Sequence, residues 1–124
     1  MKCQVNGISG LLLFPDSFTW PTGSDAPAES TATKVNNASD SFTVSYMLAQ
    51  FATLEVAGAV FLPAGGFRYG STVDYAGSRS SYWSSTPSTT SSKNAYNLTF
   101  GSGSVNTAGN DLRYYGRSVR LVAE

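Results

Sequence analysis

From Gly65-Gly66 onward the chain is a series of short segments separated by Gly, Ser and Asn, and this punctuation favours strands over long helices. "NAYNLTF" alternates, with Tyr96, Leu98 and Phe100 on one face and Asn97 and Thr99 on the other. "GSGSVNTAGND" is a turn-rich link around Val105, and "GRSVRLV" alternates again through Val119 and Leu121. Upstream, "GISGLLLFP" is an apolar run closed by Pro15, short enough for a buried strand. "AVFLPA" reads the same way and stops at Pro63. Between them, residues 16–40 are rich in Pro, Ser, Thr, Asn and Ala without a steady period, which predicts a long surface excursion anchored by Phe18 and Trp20. One stretch has helical spacing: Val44, Met47, Leu48, Phe51 and Leu54 fall on one face, with Ser45 or a neighbouring hydroxyl as the cap and Gly58 in the left-handed position that ends the helix. The expectation is an α+β chain: one helix, then a meander of short strands.

Composition bears on the surface. The 124 residues are enough for one domain with its own core. Charged residues make up 13% of them, about half the usual share. Ser, Thr, Asn, Gly and Tyr therefore supply the polar surface, a palette suited both to contact surfaces and to the turns of a loop-rich β protein. From Val56 to Ala123 there is no Glu, Gln, Met, Ile, His or Cys. Net charge is zero and no basic stripe is visible, which sets nucleic-acid binding aside.

Cys3 is the single cysteine and histidine is absent, so no intrachain disulfide, thiolate metal cluster or histidine general base can be built. No apolar run approaches the length of a membrane span. "MKCQVNGISGLLLF" is a poor signal peptide, because Gly7 and Gly10 interrupt it, and an export signal would lie outside this chain. "SSYWSST" sets the indole of Trp83 among small hydroxyl side chains. Such a run suits a loop entering a core, a carbohydrate-stacking platform or a scaffold for changeable neighbours.

"AGAVFLPAGGFRYG", "GSRSSYWSST", "NAYNLTFGSGSVN" and "RYYGRSVRLV", in that order, resemble a family of gut-bacterial and phage proteins with a C-type-lectin-like fold. That family includes the Fibrobacter succinogenes major paralogous domain and the variable proteins of diversity-generating retroelements of Bacteroidetes. The resemblance spans Tyr46 to the C-terminus, and "GISGLLLFPDSFTWP" looks like the family's opening strand. It implies an α+β C-type-lectin-like fold of one or two helices whose first and last strands, here "ISGLLLF" and "SVRLV", pair, with Trp83 as a core landmark. It also implies that Tyr69–Tyr115 is a variable region altered by adenine-directed mutagenesis. That process draws on a palette without Lys, Glu, Gln, Met or Trp, so Lys93 and Trp83 would be fixed positions.

The functional expectation is a single non-enzymatic adhesion or receptor domain on a bacterial surface or phage virion. Its ligand face would consist of Tyr69, Ser71, Asp74, Tyr75, Arg79, Ser81 and Tyr82 from loops, Asn97 and Thr99 from a strand, and Ser102, Ser104, Asn110, Asp111 and Tyr115 from turns. Tyr and Arg would give hot-spot energy, and Ser and Asn the fit. The partner would be an external protein or glycan, with no nucleic acid, no membrane insertion, no metal and no cofactor. Asp74 is isolated and only Asn110-Asp111 pairs an amide with a carboxylate, too few oxygens for a calcium-dependent lectin. Formylglycine-generating enzymes, relatives in that fold, need two active-site cysteines, and Cys3 stands alone. A serine nucleophile would have to take Lys93 as its base, and nothing around Lys93 looks organised for it. A structural surface or fimbrial domain and a metal-free glycan binder are the alternatives.

Overall fold

The computed structural model describes residues 1–28 and 41–121. Asn6 and Gly7 both take positive φ, 49° and 81°, the geometry of a two-residue hairpin turn. The turn joins β1 (Lys2–Val5) to β2 (Ile8–Leu13), with Val5 opposite Ile8 and Lys2 opposite Leu11. β3 (Val44–Tyr46) lies parallel to β1, and β4 (Val60–Pro63) lies antiparallel to β2, giving the order β3-β1-β2-β4. A small hairpin follows, β5 (Phe67–Tyr69) and β6 (Thr72–Asp74). The third sheet is the meander β7 (Arg79–Pro87), β8 (Asn94–Gly101) and β9 (Ser104–Leu112).

The helix α1 spans only Leu48–Val56. Val44, expected on its face, is in β3, as is the proposed cap Ser45. The start is held instead by the Gln50 side chain, whose Oε1 accepts the Met47 N–H at 3.0 Å. Met47 and Leu48 are 68% and 61% exposed, so the buried stripe reduces to Leu54 with half-buried Phe51. Gly58 ends the helix as expected, with φ 98°.

One nine-residue helix among three sheets makes this a β-rich fold, and the expected α+β C-type-lectin-like architecture is corrected accordingly. The expected pairing of first and last strands does not form either. β1 and β4 occupy both edges of β2, so no edge remains for "SVRLV". Ser118 makes a single parallel bridge to Tyr82, and Val119 and Leu121 are left largely exposed.

Adjacent residues of β2 serve two cores, because successive strand side chains point to opposite faces. Leu12 packs with Cys3, Val5, Tyr46 and Leu54, and Phe14, Phe18 and Trp20 close over them. Phe18 and Trp20 thus anchor the excursion, with Trp20 Nε1 donating to the Pro27 carbonyl at 3.0 Å; residues 29–40 of the excursion lie outside the described residues. Leu11 faces the other way, against Leu62, Ala64 and Phe100, and so joins the first sheet to the meander. Buried Lys2 adds a polar tie, its Nζ donating to the carbonyls of Gly101 and Ser102 in the β8–β9 turn, each at 3.1 Å.

Candidate binding face

The β5–β6 hairpin is too short to hold itself together, and its position is set by two flanking segments. Arg68 and Gly116 exchange backbone hydrogen bonds at 2.7 and 2.9 Å, which fixes the segment after β9 against β5. Gly66 sits at φ 73° with its N–H on the Arg79 carbonyl at 2.9 Å, and a Cβ there would overlap the Asp74 carbonyl. The crossing therefore requires glycine.

These restraints bring five rings into one ladder. Tyr75 stacks on Phe67 at 5.6 Å, Phe67 meets Tyr115 edge-on at 5.9 Å, and Tyr115 lies 5.4 Å from Tyr69 and 4.9 Å from Tyr114. Tyr69, Tyr75 and Tyr114 are 53%, 56% and 66% exposed. Tyr75 is held at φ 62°, a left-handed conformation that a bulky side chain rarely adopts. Local strain of this kind concentrates at functional sites. Arg79 lies over the Tyr75 ring at this end of the ladder, its guanidinium carbon 5.7 Å from the ring centre.

Beneath the ladder lies Arg117, whose side chain is 5% exposed. Its guanidinium carbon is 5.2 Å from the Phe67 ring and 5.3 Å from both Trp83 and Tyr115. One nitrogen donates to Asp111 Oδ2 at 2.7 Å, while Nε and the other terminal nitrogen are buried without a hydrogen-bond partner. Burial pulls the Arg117 guanidinium below its ordinary value, and Asp111 opposes that. The same Asp111 oxygen accepts from Asn97 Nδ2 at 3.0 Å, Asn97 Oδ1 accepts from Thr99 at 2.6 Å, and Thr99 shares a 2.8 Å hydrogen bond with Ser81. A part-buried polar chain thus runs from the middle of the meander to Arg117 beneath the ladder.

The expected contact residues divide accordingly. Tyr69, Tyr75, Arg79 and Tyr115 gather at the ladder, with exposed Asp74 and Ser71 in the same hairpin. Ser81 and Asn97 do not belong to a contact surface: they are 0% and 1% exposed, and their polar groups are spent on Thr99 and Asp111. Tyr82 points into the second core, stacked 6.3 Å from Phe100 with its hydroxyl on the Pro63 carbonyl at 2.9 Å. Burial pushes that hydroxyl above the usual tyrosine range. Ser102 lies in the β8–β9 turn beside the Lys2 tie, whereas Ser104, Asn110 and Asp111, expected on turns of a turn-rich link, are in strand β9. Asn110 is held by Ser88 at 3.2 Å and Thr90 at 2.9 Å, and Asp111 by Arg117. Trp83 belongs to neither apolar core: it is half-buried, with Arg117 over its ring. The expected face omits Tyr114 and Arg117. The "RYYGR" run carries both, and the doubled Tyr between arginines is the signal that points to them.

Cys3 is fully buried, and burial pushes its thiol up to about 12, so it is no nucleophile near neutral pH. Among the described residues no group of three metal-ligating side chains is found. No helix among them is long and apolar enough to cross a membrane.

Fold and face together define a small β-rich domain that carries an aromatic surface on a buried polar brace. The chain belongs to a family described as a domain of unknown function (DUF8237), whose model matches residues 29–122. No curated protein and no solved structure gives a significant match to it.

Proposed function

We propose that this is a non-enzymatic binding domain whose ligand face is the tyrosine ladder. The observation that carries the reading is the contrast between its two sides. Tyr69, Tyr75 and Tyr114 are more than half exposed, while Arg117 locks the rings beneath them. Rings that present large area while losing little entropy on binding are the usual anchors of a contact surface. The exposed part of Tyr69–Tyr115 is then the segment in which adenine-directed diversification would act. The buried positions Ser81 and Asn97 would be held constant by the polar chain. Such a domain belongs on a bacterial surface or a phage virion.

Two measurements test this. Wild-type protein and the variant carrying Tyr69→Ser, Tyr75→Ser and Tyr114→Ser are exposed to an array of purified bacterial surface proteins and glycans. Ligands of the wild type should lose at least about a hundredfold in affinity for the variant. Equal binding by both would place the site elsewhere. Sequencing the gene with its flanks should reveal a near-copy of the codons for Tyr69–Tyr115 differing where the copy has adenine; a flank without one removes the diversification reading.

A second reading has an observation of its own. A groove of about 430 Å³ beside Trp83 is lined by Tyr82, Tyr96, Ser84, Thr86 and Thr107 among others and has no charged lining residue. That lining suits a neutral sugar stacked on an aromatic side chain. Trp83→Ala abolishing binding on the glycan array, with the triple tyrosine variant unaffected, would favour it.

A further inference from the structure

Leu11 and Leu13 share one face of β2, and in register with them on β4 stand Leu62 and Val60. Leu11 and Leu62 are closed into the second core with Phe100, at 2% and 3% exposed. Leu13 is 40% exposed and Val60 is covered only in part. The core thus closes over one end of this strand pair and stays open at the other. At the open end lies a groove of about 370 Å³, walled by Leu13, Val60 and Leu62 and continued by Phe14, Pro15 and Gly58. None of these residues belongs to the tyrosine ladder. One charged side chain lines the groove. Arg120 is exposed and has no hydrogen bond or ion pair among the described residues. It differs in this from Arg68, Arg113 and Arg117, each of which donates to a carbonyl or carboxylate oxygen.

We infer that this groove is a second binding site, for a free fatty carboxylate whose chain lies on Leu13, Val60 and Leu62 and whose head group is held by Arg120. The site is independent of the tyrosine face. Its volume falls in the range of small-molecule sites, which begins at about 300 Å³. An alkyl chain laid in the groove removes carbon from water on both sides of the contact. The head group is chosen by charge. A guanidinium without a partner offers a planar fork that fits a carboxylate bidentately. A neutral head would leave that fork unused, and a cationic head would meet a like charge.

The test titrates decanoate, decanol and decyltrimethylammonium into the full chain by calorimetry, below their micelle concentrations, with octanoate as a shorter carboxylate. Decanoate should saturate a single site about threefold or more tightly than decanol, and the ammonium should bind more weakly than either. Octanoate should bind about fourfold more weakly than decanoate, since each methylene half-covered in an open groove contributes about twofold. Arg120→Glu should reverse the order of decanoate and the ammonium while leaving decanol unchanged. Leu13→Gln should weaken decanoate and decanol alike by about tenfold. Both replaced side chains are exposed, so both variants should melt close to the wild type. Decanol binding as tightly as decanoate, or an order of ligands unmoved by Arg120→Glu, overturns the carboxylate site. Decanoate binding unchanged in Leu13→Gln, or no saturable binding of any of these compounds, overturns the groove as its place. Sedimentation with phosphatidylglycerol vesicles without binding of free decanoate overturns the free ligand in favour of a membrane surface.

Discussion

Arg117 is the residue on which the face depends, and two substitutions there separate its volume from its charge. In Arg117→Ala three ring contacts near 5.3 Å are lost, at about 0.5–1 kcal/mol each, or roughly 2 kcal/mol. The ion pair contributes about 1 kcal/mol, because the Asp111 side chain is 39% exposed and water can replace the guanidinium. The buried methylene stem adds about 2 kcal/mol. Against this, the substitution relieves two buried N–H groups without partners, worth about 1 kcal/mol each where ring faces satisfy them in part. The net is a destabilisation of about 3 kcal/mol. Arg117→Met keeps the stem volume, replaces the cation by a thioether that also favours aromatic neighbours, and relieves the same two donors, so it should stay within about 1 kcal/mol of wild type. Urea unfolding decides: with m near 1.5 kcal/mol/M, the alanine variant should move the midpoint down by about 2 M and the methionine variant by well under 1 M, m itself unchanged. A methionine variant as damaged as the alanine one would show that charge, not volume between the rings, holds the face. An alanine variant within about 0.5 kcal/mol of wild type would refute the brace altogether.

Three further outcomes follow from the same contacts. Asn97→Ala should cost about 2–3 kcal/mol and lower the melting temperature by roughly 10 °C, since it strips buried partners from both Asp111 and Thr99. Gly66→Ala should cost about 3 kcal/mol or more, and hydrogen exchange at the Gly77 N–H, which donates to the Ala64 carbonyl at 2.7 Å, should accelerate as the β6–β7 loop is displaced. Tyr82→Phe should cost about 1 kcal/mol near neutral pH by removing the hydrogen bond to Pro63, and it should flatten the alkaline limb of the stability curve. The sign comes from the raised hydroxyl: the unfolded chain releases that proton near pH 10.0 and the folded chain later, so wild-type stability falls as pH rises beyond 10 and the phenylalanine variant lacks that loss.

What can be read from the sequence is local. The apolar runs "GISGLLLFP" and "AVFLPA" and the alternation of "NAYNLTF" predict strands where β2, β4 and β8 form, and Gly58 ends its helix, because each depends on a few neighbouring residues. Asn6-Gly7 carries an equally local hairpin signal, obscured by the apolar patch around it, which invites comparison with a leader. Periodicity misplaces Val44 because its spacing to Met47, Leu48 and Phe51 suits a helix, while the open edge of β1 draws it into a parallel pair with Cys3. "SVRLV" has the alternation of a strand, but its pairing depends on an edge of β2 that two other segments fill.

The site divides in the same way. Tyrosine and arginine can be nominated by type, since their chemistry suits a contact surface wherever they are exposed. Serine and asparagine cannot, because "SSYW" and "AYNLTF" do not reveal which polar side chain finds a buried partner eighteen residues away, as Ser81 does in Thr99. The part-buried chain from Ser81 through Thr99, Asn97 and Asp111 to Arg117 ties these side chains to one another, and the exposed tyrosines lie outside it. Replacing buried Ser81 or Asn97 removes a hydrogen bond from a partner that is itself partly shielded from water, whereas a substitution at Tyr69, Tyr75 or Tyr114 changes a side chain that is more than half exposed. The domain can therefore vary what it presents without disturbing what supports it, provided that variation stays above Arg117.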